Sequence, residues 1–280
     1  MPNAPKNSDI LFTKDFRFEP YKQSRKDDGF SGKLLLAASR ANESVQYIIK
    51  HSIIADACNE YMYHKVASIV GLPTPSVKLM DVSPEDMGDF NYKNRYMAAI
   101  QYLPNARFYN IDNDSKDSQN SLYYYAFRAL IGLLGDVDNP EFITDEYGTL
   151  FKIDNAEAFA VSNLTIETLE LDQYQKTDTT EFMLNTFLHH PATVSRYNNL
   201  VSLYNITIGE YGSVAFDSFV ECVERFSDFN GNLLDDAIQT LDYFYDKRLG
   251  EYYRQYIQTT KNDCKKFLEV LKDAQGKRSI

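Results

Sequence analysis

Over the first hundred residues the apolar positions fall in short runs rich in β-branched and aromatic side chains. Lys33–Ala38, Val45–Lys50, Ser76–Asp81 and Tyr96–Leu103 each predict a strand. One segment between them keeps a helical period: Cys58, Met62, Val66 and Ile69 share a face, which predicts a helix over Asp56–Val70 that stops at Gly71 and Pro73. After Pro104 the helical period dominates. Leu122, Ala126, Leu130 and Leu133 mark one helix, and Phe216, Phe219, Val223 and Phe226 mark a second. Leu234, Ile238, Leu241 and Tyr245 mark a third, and a last one runs through Tyr253, Ile257, Cys264 and Leu268. The expected fold class is α+β and bilobal, with a small β-rich lobe over residues 1–103 and a mainly helical lobe over residues 104–280.

One stretch of the second lobe departs from the helical pattern. Glu141–Thr144 and Thr149–Ile153 flank Asp145-Glu146-Tyr147-Gly148, a short connection suited to a hairpin. Upstream stands Gly135-Asp136-Val137-Asp138-Asn139, and downstream stands Ile153-Asp154-Asn155-Ala156-Glu157. A hairpin brings its ends together, so the two acidic clusters are expected to share one edge of the molecule.

Composition narrows the function classes. A chain of 280 residues, 44% apolar and 25% charged, can bury one large core or the cores of two small lobes. Its 29 Lys and Arg against 40 Asp and Glu give a net charge of -11, which disfavours nucleic acid as a broad direct partner. No apolar run reaches the roughly 18 residues of a membrane span. The opening MPNAPKNSDI is polar and carries no secretory pattern. Cys58, Cys222 and Cys264 match neither a disulfide framework nor a zinc spacing, so a reducing cytoplasm is the expected location. The aromatic side chains are 21 Tyr and 18 Phe with no Trp; those at helical spacing, such as Tyr123, Tyr124, Tyr125 and Phe127, read as core and half-buried surface.

Phosphoryl transfer from ATP needs an aligner for the acceptor hydroxyl, hard oxygen ligands for Mg²⁺, and a cation on the nucleotide phosphates. Asp136 and Asp154, delivered by the hairpin, fit the carboxylate demand; solvated acidic turns fit the same residues. Lys50 closes a strand where a long cation would lie over a nucleotide cleft, and Glu60 on the next helix is placed to hold it by an ion pair. Taken singly, both read as surface charges. His189-His190 before Pro191 reads as a helix end rather than a metal site, and His51 and His64 have no nucleophilic partner recognisable from sequence.

The order of these features carries a resemblance. Residues 50–80, KHSIIADACNEYMYHKVASIVGLPTPSVKLM, followed by Leu130-Ile131-Gly132 through Phe142 and by Phe151-Lys152-Ile153-Asp154, resemble the HipA-like protein kinases. The resemblance covers roughly residues 29–159 and implies a protein-kinase-like fold that binds ATP and Mg²⁺ and phosphorylates a Ser or Thr hydroxyl of a protein substrate. It implies that Lys50 binds the ATP phosphates, that Glu60 orients Lys50, that Asp136 is the catalytic aspartate and that Asp154 holds the metal. Gly29-Phe30-Ser31-Gly32-Lys33 is similar in position to the phosphate-covering loop, whose glycines let backbone N–H groups approach the phosphates. Gln101 to Leu103 would form the hinge beside adenine. The chain departs from the family where an Asn is expected as metal ligand: Glu141 stands there, with Asn139 nearer. Asp138 replaces a basic or His residue and is a further candidate ligand. A catalytically silent nucleotide-binding module, or a phosphoinositide or small-molecule kinase, are the alternatives these departures leave open.

Overall fold

A computed structural model of the chain describes residues 9–21, 34–50, 54–87, 96–113, 115–116, 118–136, 140–156, 158–160, 196–244 and 247–276. Six strands, β1 (Ile10–Phe12), β2 (Phe16–Pro20), β3 (Leu35–Ser39), β4 (Gln46–Ile49), β5 (Val77–Asp81) and β6 (Tyr96–Gln101), form one sheet in the order β1-β5-β6-β4-β3-β2. Among the described residues of this sheet only the β1–β5 pairing is parallel. The alternation of strand side chains divides the sheet into two faces. Phe16, Leu35, Ala37, Tyr47, Ile49, Met97 and Ala99 fill a small core on one of them. Val77, Leu79 and Ala98 face the other way and join the main core with helix α1 (Ile54–Ile69).

Helix α1 ends as its sequence demands. Gly71 has φ +79°, a left-handed backbone that favours glycine. Helix α2 (Gln119–Leu134) begins at Ser118, whose side chain accepts the Ser121 N–H, and ends at left-handed Gly135. Helices α3 (Tyr197–Tyr211), α4 (Val214–Asp228), α5 (Asp235–Phe244) and α6 (Lys247–Gly276) complete the helical region. Helix α2 packs on α3 and α4, and α6 packs on α4 and α5. The main core runs without interruption from α1 into this bundle, through Tyr61, Met62, Val66, Leu130, Phe219, Val223, Tyr253 and Ile257.

Between the regions stands a second sheet, β7 (Arg107–Phe108), β8 (Glu141–Thr144) and β9 (Leu150–Ile153), in that order. Strands β8 and β9 are the expected hairpin, with Glu141 opposite Ile153 and Thr144 opposite Leu150. The Asp145 carboxylate accepts the N–H groups of Tyr147 at 3.0 Å and Thr149 at 2.8 Å, and Gly148 takes φ +82°, which closes the turn.

The fold is α+β, a β-rich N-terminal region followed by a mainly helical one. The strands expected near residues 33, 45, 76 and 96 are β3 to β6, and the expected helices are α1, α2, α4, α5 and α6. Periodicity did not predict β1, β2, β7 or α3. Strands β1 and β7 are short, and β2 is an edge strand whose alternation is half-exposed. Helix α3 fully buries only Leu200 and Thr207, and its asparagines and threonine dilute the apolar stripe. Among the described residues no helix is long and apolar enough to cross a membrane. Cys58, Cys222 and Cys264 are buried free thiols.

Candidate functional site

The C-terminal end of β4, the middle of α1 and both ends of the β8–β9 hairpin converge on one cluster of charges. Lys50, immediately after β4, donates its ammonium to Asp154 Oδ1, immediately after β9. The two side chains are 28% and 41% exposed, so this ion pair opens to water. Burial on its own would lower the Lys50 pKa; the attraction and hydrogen bond of Asp154 outweigh it and raise the value. Asp154 takes a left-handed backbone, with φ 59°.

Glu60 lies deeper, on the α1 face turned toward the hairpin. Its Oε2 accepts the Asn155 backbone N–H at 2.6 Å, and its Oε1 contacts Asn155 Nδ2 at 3.2 Å and His64 Nε2 at 3.1 Å. Burial would raise its pKa, but the His64 contact, the Asn155 amide and the charge of Lys50 prevail and hold the carboxyl down at about 2. The expected Lys50–Glu60 ion pair is therefore replaced by two separate pairings, Lys50 with Asp154 and Glu60 with His64 and Asn155. A carboxylate buried this far takes the donors available in the interior.

Asp136 follows Gly135 at the C-terminal end of α2, and its N–H donates to Ile131 O at 3.1 Å. Its Oδ2 lies 2.6 Å from the Lys152 ammonium, and both side chains are 1% exposed. Lys152 also donates to Asn155 Oδ1 at 2.6 Å and to the Asp154 carbonyl at 3.3 Å, and it lies 5.1 Å from the centre of the Tyr63 ring. Sequence reasoning missed Lys152 and Asn155. The signal for Lys152 was a lysine inside Leu150-Phe151-Lys152, a run buried on both faces of its strand.

The remaining expected site residues are spread around this cluster. Gln101 ends β6, where its backbone N–H donates to Ser76 O at 2.8 Å and its side-chain oxygen accepts the Ser76 N–H at 3.0 Å. Leu103 is half-buried on the passage from the large sheet to β7. Glu141 is exposed at the start of β8, opposite Ile153. Gly29, Ser31, Gly32, Lys33, Asp138 and Asn139 lie outside the described residues, as do His51, His189 and His190. Among the described residues no group of three or more His, Cys, Asp or Glu side chains could hold a metal ion by itself.

No family model matches the chain, and no curated protein sequence matches it. Among solved structures it is similar to the Helicobacter pylori proinflammatory kinase CtkA, at 10% identity and a TM-score of 0.41, over 92% of this chain and 98% of that one. Nothing about the chemistry of this chain follows from a likeness at that level.

Proposed function

We propose that the chain is an ATP- and Mg²⁺-dependent phosphotransferase, a HipA-like serine/threonine kinase whose acceptor is a protein hydroxyl. The observation that carries this reading is the ion pair between Lys50 and Asp154. Two residues 104 positions apart, one expected to bind phosphates and the other to bind metal, meet in a partly exposed cluster. The donor set suits a metal that arrives with its nucleotide, because Mg²⁺ commonly takes one or two protein carboxylates and completes its shell with phosphate oxygens and water. In this role Asp154 would hold the metal, with Glu141 as the second ligand or, in its place, Asp138 or Asn139. Bound Mg²⁺ would neutralise charge on the β- and γ-phosphates. Lys50 would exchange Asp154 for phosphate oxygens, Asp136 would align the acceptor hydroxyl, residues 29–33 would cover the phosphates, and Gln101 and Leu103 would border the adenine.

A second reading, a catalytically silent nucleotide-binding module, is favoured by one observation. The Asp136 carboxylate is buried against Lys152 and is not presented to an acceptor. Incubation with γ-labelled ATP and Mg²⁺, followed by mass spectrometry for phosphorylated Ser and Thr, separates the two. The kinase reading expects transfer by the wild type and none by Lys50→Met. Nucleotide binding without transfer would favour the silent module, and the absence of both would overturn the two readings together.

A further inference from the structure

A lysine with 1% of its side chain exposed is costly to bury unless its ammonium is paired and hydrogen-bonded. Lys152 meets that condition with Asp136, Asn155 Oδ1 and the Asp154 carbonyl, and the last of these contacts has consequences for the site. The φ of 59° at Asp154 lies in the left-handed region that few residues other than Gly, Asn and Asp adopt. Such a backbone persists where its surroundings over-determine it. Here they do so from both sides. The Asp154 carbonyl is tied to Lys152, and the next N–H, that of Asn155, is tied to Glu60 at 2.6 Å. The Asn155 side chain closes the frame by accepting from Lys152 through Oδ1 and contacting Glu60 Oε1 through Nδ2.

We propose that Lys152 is the positioning residue of this site. With Asp136 as its counter-charge and Asn155 and Glu60 as its frame, it holds the left-handed turn that aims the Asp154 carboxylate at Lys50. The proposal rests on the nucleotide–metal reading above, in which that carboxylate binds the metal. Lys152 acts through Asp154, as outer partners of a metal ligand do, and losing such a partner typically costs about 10- to 100-fold in metal affinity.

A core ion pair with no role in the site would behave differently. Replacing both partners of a buried pair by apolar side chains of similar volume is often neutral or stabilising. The discriminating variant is therefore Lys152→Met with Asp136→Leu, which removes both charges, set beside Lys152→Met alone and Asn155→Ser, which keeps the ion pair and the backbone N–H bond to Glu60 but removes the side-chain bridge between Lys152 and Glu60. Calorimetric titration of the full chain with a non-hydrolysable ATP analogue, with and without Mg²⁺, supplies a readout that does not depend on turnover. The expected result is a loss of about 10- to 100-fold in the Mg²⁺-dependent part of the affinity in all three variants, with the Mg²⁺-independent part unchanged. The double variant should recover the melting temperature that Lys152→Met loses, without recovering that affinity. Wild-type Mg²⁺-dependent affinity in the double variant, or in Asn155→Ser should the double variant not fold, would overturn the proposal and leave the nucleotide–metal reading standing. A wild-type chain that binds the analogue equally well with and without Mg²⁺ would overturn that reading, and the proposal with it.

Discussion

The site contains two lysine–aspartate pairs of the same chemistry in opposite surroundings. Lys50 and Asp154 are 28% and 41% exposed, whereas Lys152 and Asp136 are both 1% exposed. An ion pair open to water contributes little to stability, and its members exchange partners cheaply. A pair sealed in the interior resists the loss of one member, because the remaining charge has neither water nor a counter-ion. The difference leaves the first pair open to a change of partners and holds the second together.

The largest test of this contrast is Lys152→Met. It should destabilise the fold by about 3–5 kcal/mol, measured by urea denaturation, because it strands the Asp136 carboxylate. A loss below about 1 kcal/mol would mean that water reaches the pair.

An intermediate effect is expected from acid. Glu60 has a folded pKa of about 2 against an ordinary value of 4.5, so its ionised form is favoured by folding. That contribution is complete above about pH 4.5 and is lost as the pH falls toward about 2. Unfolding free energies measured across this range should fall with a slope that Glu60→Gln reduces. An unchanged slope in the variant would place the acid sensitivity elsewhere in the frame.

The smallest effect belongs to Lys50→Met, which should change stability by about 0–1 kcal/mol. The same denaturation series in low and high salt tests it, since an exposed pair is screened and a buried one is screened much less. A loss comparable to that of Lys152→Met would erase the distinction between the two pairs.

The sequence singled out Lys50, Asp154 and Asp136 but neither of their pairings, and it passed over Lys152. Lys50 and Asp154 stood out because each ends a strand and their order along the chain matched a chemistry. Glu60 was expected to hold Lys50, while the amide that claims its carboxylate comes from Asn155, 95 residues away. Lys152 sat within a strand recognised for its apolar run, and a charged residue there has meaning only once Asp136 is folded against it. The same rule governs the fold. Strands and helices with one strongly apolar face were readable, whereas β1, β2, β7 and α3 draw their definition from neighbours distant in sequence.

Helix α1 contributes one more constraint, through the residue immediately before Glu60. Asn59 donates its amide to the Ala156 carbonyl at 2.6 Å and accepts the Tyr253 hydroxyl at 2.9 Å, so it bolts α6, α1 and the chain just after the hairpin into one strut. Rocking the sheet-bearing region over the helical bundle would have to break these bonds as well as shear the shared core, at about 1–3 kcal/mol for each buried polar group left unmatched. Wide hinge bending is thereby suppressed, and under the proposed reading a ligand would be admitted by side-chain rearrangement around Lys50 and Asp154, which already reach water.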